Sequence, residues 1–151
     1  MNKRTGAYWG LHFDFHAVAE TKGIGTRTTA ENIGAFLDAT HPDYIQLDTK
    51  GHPGYTSFFS EYGDVAPGLE VDHLKIFREE TAKRGIPMIA HHSGIWDTRA
   101  CEEHPEWRAI RKDGTPDPNF VEPNGAYVDQ KLIPQLKELA GRYGFDGAWI
   151  D

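Results

Sequence analysis

The sequence predicts an α/β fold, the N-terminal half of a (β/α)8 TIM barrel, with four parallel strands joined by crossover helices. Three observations carry this. Four short segments, about residues 7–15, 44–50, 86–92 and 146–151, have strand character, and the stretches between them are long enough to cross from one parallel strand to the next. Each segment ends in polar or charged side chains; a barrel assembles its site from the C-terminal ends of all its strands, whereas an open doubly wound sheet gathers ligands at one switch point. A complete barrel needs about 250 residues, so 151 residues with four strands are expected to form a partial barrel domain, residues 1–151, with the remaining strands outside this chain.

The first segment alternates Trp9, Leu11, Phe13 and Phe15 on one face with Tyr8, Gly10, His12 and Asp14 on the other, and His16 continues the polar face. Gly23-Ile24-Gly25 does not complete a dinucleotide fingerprint and reads as loop. Thr28-Thr29-Ala30-Glu31 has the capping-box form, with Ile33, Phe36 and Leu37 at helical spacing behind it, which predicts a helix over about 29–40. His41-Pro42-Asp43 ends that helix, and Tyr44 to Lys50 is the second strand, followed by a long loop to Gly68. Leu74, Phe77 and Thr81 share a stripe of a second helix, about 70–84, closed by Gly85. Ile86 to His92 is the third strand, with Pro87 tolerated near its start. A long loop, about 93–123, is expected to carry a short helix from Pro105 and a turn at Asp113-Gly114. Val128, Leu132, Leu136 and Leu139 mark a third helix over about 125–143, kinked by Pro134 and ended by Gly144. Asp146 to Asp151 is the fourth strand.

Composition narrows the function. With 16 Lys and Arg against 23 Asp and Glu the net charge is -7, the basic residues are scattered, and nucleic acid is not an expected partner. No 18-residue apolar run is present, so no membrane span is expected. Cys101 is the only cysteine, which excludes an internal disulfide and a cysteine-based zinc site. Basic residues in Met1 to Gly6 lack an apolar stretch behind them, so no secretory signal is read and a cytoplasmic location is favoured. Unpaired strand edges lead us to expect homo-oligomers or self-association.

Certain motifs add a resemblance. Tyr44-Ile45-Gln46-Leu47-Asp48-Thr49-Lys50-Gly51-His52-Pro53-Gly54-Tyr55 resembles the second-strand motif of the retaining α-L-fucosidase family, a hydrophobic strand leading into Thr-Lys-His-His-Asp-Gly-Phe. Thr49, Lys50, His52 and Gly54 match, Tyr55 replaces Phe, and Gly51 and Pro53 depart from the first His and the Asp. Gly85 to Ser93, with Trp96-Asp97, resembles the family's third strand, where two tyrosines and a serine are more usual. Trp149-Ile150-Asp151 is similar to the fourth-strand segment that ends in the nucleophilic Asp. His104-Pro105-Glu106-Trp107 with Asp113-Gly114 also resembles a group of hypothetical glycosyl hydrolases related to that family.

The resemblance implies a retaining exo-glycosidase, α-L-fucosidase-like and acting on a carbohydrate substrate without a cofactor. Asp151 would be the nucleophile, and the general acid/base would lie outside this chain, leaving the chain inactive alone. On the residues alone, Asp151 reads as a carboxylate capping a following helix. His12, Asp14, Lys50, His52, His92, Trp96 and Trp149 are the candidate sugar contacts, His and Lys as hydrogen-bond donors and Trp96 as a stacking platform. Each has a plainer reading: Lys50 as the ion-pair partner of Asp48 or Asp14, Trp149 as core packing, and Trp107 with Ile110 as the core of the long loop. His91 and His92 point to opposite faces, and His92, nearer the strand end, is preferred for the site. Two rival functions stay open. His12, Asp14 and His16 have donor types that zinc accepts, which would make a metal-dependent TIM-barrel hydrolase; the other is a sugar-binding barrel without turnover.

Overall fold

The computed structural model describes residues 6–151. In order these form β1 (Gly10–Phe13), α1 (Ala30–Thr40), β2 (Tyr44–Lys50), β3 (Tyr55–Thr56), β4 (Asp64–Val65), α2 (His73–Arg84), β5 (Met88–His92), α3 (Thr98–Glu103), β6 (Arg108–Ile110), β7 (Pro116–Val121), α4 (Ile133–Arg142) and β8 (Gly147–Ile150). A 3-10 turn, Pro105–Trp107, follows α3, and a π turn, Val128–Leu132, leads into α4. Strands β1, β2, β5 and β8 are parallel neighbours in chain order, in register through His12 opposite Gln46, Leu47 opposite Ala90, and His91 opposite Trp149.

One face of this sheet is covered by all three crossover helices. Ile45, Leu47, Met88 and Ala90 from the strands bury against Leu37 of α1, Leu74 and Phe77 of α2, and Leu139 of α4. A fully buried side chain of this size contributes about 1.5–3 kcal/mol, so this cluster is the main apolar term. The opposite face carries His12, Gln46, Asp48, His91 and Trp149 by alternation. Gly10 belongs there because a Cβ would lie 2.1 Å from the Tyr44 ring.

A bulge interrupts the wall. Asp48 pairs with His91, but the register then shifts and Lys50, not Thr49, pairs with His92. An extra residue in one strand transfers everything beyond it to the other face. Strict alternation would put Lys50 beside Asp48; the bulge puts it with His92 instead.

The helix ends differ from the sequence expectations in register. Thr29, not Thr28, caps α1, its Oγ1 accepting from Asn32 N at 3.1 Å. Helix α2 starts three residues later than expected, at His73 with Asp72 as its cap, and ends as expected before Gly85 at φ 65°. The loop after β2 holds β3 and β4. The loop from 93 onward holds α3 and the strands β6 and β7, which the sequence reading missed, and the turn at Gly114 that joins those strands, which it expected. Its core is Ala100, Cys101, Trp107, Val121, Tyr127 and Leu132, and Ile110 is exposed, so Trp107 but not Ile110 packs there. Pro134 has no N–H to give the turn before it, and the chain passes from π to α geometry at that point. No helix among the described residues is long and apolar enough to cross a membrane.

Candidate active site

The C-terminal ends of the four parallel strands converge on Asp48. Its side chain is fully buried, and its Oδ2 accepts from the backbone N–H of Phe15 at 3.1 Å. His12 Nε2 lies 3.5 Å from Oδ1, His16 Nδ1 lies 3.3 Å from Oδ2, and His91 Nδ1 makes a short contact with Oδ1. Burial pushes the Asp48 carboxyl above its ordinary value, the His91 hydrogen bond opposes this, and neighbouring Asp14 adds to the rise. Asp14 is held below its ordinary value by the His16 backbone N–H at 2.9 Å.

Asp151 joins this cluster from the end of β8. Its Oδ2 lies 3.3 Å from His91 Nε2, so the His91 ring spans from Asp48 to Asp151. The Asp151 backbone is clamped to the chain leaving β5: Gly94 N donates to Asp151 O at 2.6 Å, and Asp151 N donates to His92 O at 3.4 Å. Gly94 is required for that approach, because a Cβ would lie 2.8 Å from Asp151 O. Trp149, on the same face as His91, is 53% exposed, so it is not a core residue in this chain.

His52 extends the site along the loop after β2. It stacks on Trp96 at 4.3 Å between centroids, meets Ser93 Oγ through Nδ1 at 2.8 Å, and lies 6.0 Å from the His16 ring. Trp96 is more than one third exposed and rests its other flank on Phe120 at 4.9 Å.

Two of the expected sugar contacts lie elsewhere. Lys50 is completely buried and pairs with neither Asp48 nor Asp14; its Nζ donates to Asp97 Oδ2 at 2.8 Å and to Tyr127 Oη at 2.6 Å. Burial draws the Lys50 ammonium below its ordinary value, and Asp97 opposes this. Burial, the largest single influence, would push Asp97 up, but the Lys50 charge and hydrogen bond, the Ala100 N–H and the Lys131 charge together hold the carboxyl down. This pair fastens the long loop beneath the strand ends. His92 also faces away from the cluster, fully buried, with Nε2 3.1 Å from Gln135 Oε1 and Nδ1 2.8 Å from Thr49 Oγ1. Burial pulls its pKa to about 3, so it is neutral.

The expected histidine–aspartate metal set is divided. His12 groups with Asp48 and His91, and Asp14 and His16 group with Asp48, each set presenting three ligand atoms within 4.8 Å of one another. Nitrogen and carboxylate donors of this kind suit zinc. Of the residues that join the strand ends, Asp48 was not among the sequence candidates, and His91 was passed over in favour of His92. A His at the parity of Ile89 was the available signal, but Met88, Ile89 and Ala90 are all buried, and such a strand shows no alternation to read.

No family model and no curated protein matches the sequence. Solved structures do. α-L-Fucosidase isoenzyme 2 from Paenibacillus thiaminolyticus matches with a TM-score of 0.83 at 25% identity, over 96% of this chain and 23% of that one. Unliganded α-L-fucosidase AlfC from Lactobacillus casei matches with a TM-score of 0.64 at 20% identity, over 99% and 60%. Thermotoga maritima α-fucosidase in complex with fucose matches with a TM-score of 0.60 at 19% identity, over 83% and 29%. The chain thus spans less than two thirds of each of these proteins. Its α/β fold is similar to part of the fold of these α-L-fucosidases.

Proposed function

We propose that residues 1–151 form the first half of a (β/α)8 barrel in a retaining glycosidase that acts on α-L-fucosides, with Asp151 as nucleophile. The observation that carries this reading is the position of Asp151: a carboxylate at the end of β8, 3.3 Å from His91 at the end of β5, beside a rim of donors from β1 and β2. One Asp151 oxygen bonds to the anomeric carbon as the glycosidic C–O bond breaks, and the leaving oxygen takes its electron pair and a proton from a second carboxyl. Retention places that acid about 5–5.5 Å from the nucleophile. Asp48 does not suit the acid role, because it is sealed from solvent by His91, His12, His16 and Phe15. The acid comes from outside this chain. His12, Asp14, His16 and His52 offer the polar contacts that a sugar needs, and Trp96 and Trp149 offer exposed ring faces.

The test uses the intact protein with 4-nitrophenyl α-L-fucopyranoside. Asp151→Gly should lose turnover, and azide should restore it with formation of a glycosyl azide of inverted anomeric configuration. Release of nitrophenolate by the variant at the wild-type rate without azide would rule Asp151 out. The three-ligand groupings around Asp48 support a second reading, a metal-dependent hydrolase. Chelator treatment separates the two: the glycosidase keeps its rate and the metalloenzyme loses it.

A further inference from the structure

His91 has a carboxylate at each end of its ring. Nδ1 is pinned by Asp48, and Asp48 is itself immobile: its side chain is buried, its Oδ2 is held by Phe15 N, and its backbone carbonyl accepts from Ser57 Oγ at 2.7 Å. A flat ring fixed at Nδ1 has little freedom left at Nε2, which lies 3.3 Å from Asp151 Oδ2. The rings of His12, edge-on at 5.1 Å, and His16, at 5.9 Å, close two more sides. With Nδ1 engaged by Asp48, Nε2–H is the donor that faces Asp151 Oδ2.

We propose, building on the assignment of Asp151 as the nucleophile, that His91 is a positioning residue for it, held in place by Asp48. His91 engages Oδ2 and leaves Oδ1 to attack. Its contribution differs between the two steps. When Oδ1 bonds to the anomeric carbon, the carboxylate loses its charge and the His91 hydrogen bond weakens. When water then adds to the anomeric carbon and gives its proton to the acid/base carboxylate, the bond from Oδ1 to that carbon breaks and its electron pair returns to Asp151. The donor at His91 meets that returning charge already in position. Loss of His91 therefore slows hydrolysis of the glycosyl-enzyme more than its formation.

The experiment is stopped-flow release of 4-nitrophenolate from 4-nitrophenyl α-L-fucopyranoside by the intact protein. His91→Ala is expected to lower kcat by about a hundredfold, the scale of a misplaced reacting group. KM should fall with it, and a burst of one nitrophenolate per enzyme should appear. His91→Gln, which keeps a donor, should fall between the two. Asp48→Asn should move kcat and KM the same way, and the double variant should be no worse than His91→Ala, because the two act as one unit. A His91→Ala variant within twofold of wild type, or an equal loss in the Ala and Gln variants without a burst, overturns the role of His91. If azide rescues Asp151→Gly in the same preparation, the nucleophile assignment survives that result. If azide fails to rescue it, the nucleophile and the positioning role fall together.

Discussion

At the scale of single residues, burial decides which histidines set the pH range of the fold. His73 at the start of α2 is fully buried against Phe15, with ring centroids 4.2 Å apart, and burial lowers its pKa to about 4. The same imidazole in the unfolded chain titrates near 6.5. Between these values the unfolded state takes up a proton that the folded state refuses, so folding stability is full above about pH 6.5 and falls as pH drops toward 4. The shift corresponds to about 3 kcal/mol, expressed as a lower urea midpoint at pH 4.5 than at pH 7.5. His73→Leu should flatten that dependence; an unchanged slope would assign the acid lability to other groups. His12 lies within β1, His52 in the loop just after β2, and Asp151 just after β8. His91 and His92 differ by one position, and local sequence does not say which of two neighbours in an apolar run faces the rim.

At the scale of elements, strands and helices were readable wherever apolar spacing was regular, and boundaries were readable wherever a cap was unambiguous. Gly85 is the clearest case. It sits at φ 65° with no atom within 4 Å of an added Cβ, so its only constraint is the backbone. Gly85→Ala should therefore cost about 1 kcal/mol through the left-handed conformation alone, read as a lower denaturant midpoint with unchanged slope. A neutral outcome would mean that the turn between α2 and β5 relaxes out of that conformation. The bulge in β2 was not readable, because it is set by pairing with β5 and not by residues near Thr49. That single irregularity explains why Lys50 looked like the partner of Asp48. Helix α3 was missed for a related reason: its six residues are too few to show a period, and its cap, Asp97, is also the carboxylate that holds Lys50.

At the scale of the whole molecule, the sequential order of β1, β2, β5 and β8 leaves the outer edge of β8 without a partner strand among the described residues, where Trp149 and Ile150 are exposed. An apolar hollow of about 250 Å³ lies beside it, lined by Leu136, Leu139, Phe145 and Ala148. Unpaired edges next to apolar surface template association. The 151-residue chain expressed alone should self-associate with rising concentration in sedimentation experiments, and Ile150→Lys should reduce this. A monodisperse monomer at high concentration would argue that the edge is protected. The chain order of the strands was legible because crossover helices impose it, whereas the exposure of an edge depends on neighbours in space that local spacing does not reveal.

The irregular step in β2 also acts as a sorting device. Across three residues it leaves an acid among the histidines of one face and turns a base into the opposite, dry side, so two opposite charges that neighbour one another along the chain never neutralise each other. Loss or gain of one residue at that point would bring the ammonium among the histidines and strand Asp97 without its counter-ion. The length of this short segment is therefore under tighter constraint than the identity of most of its side chains.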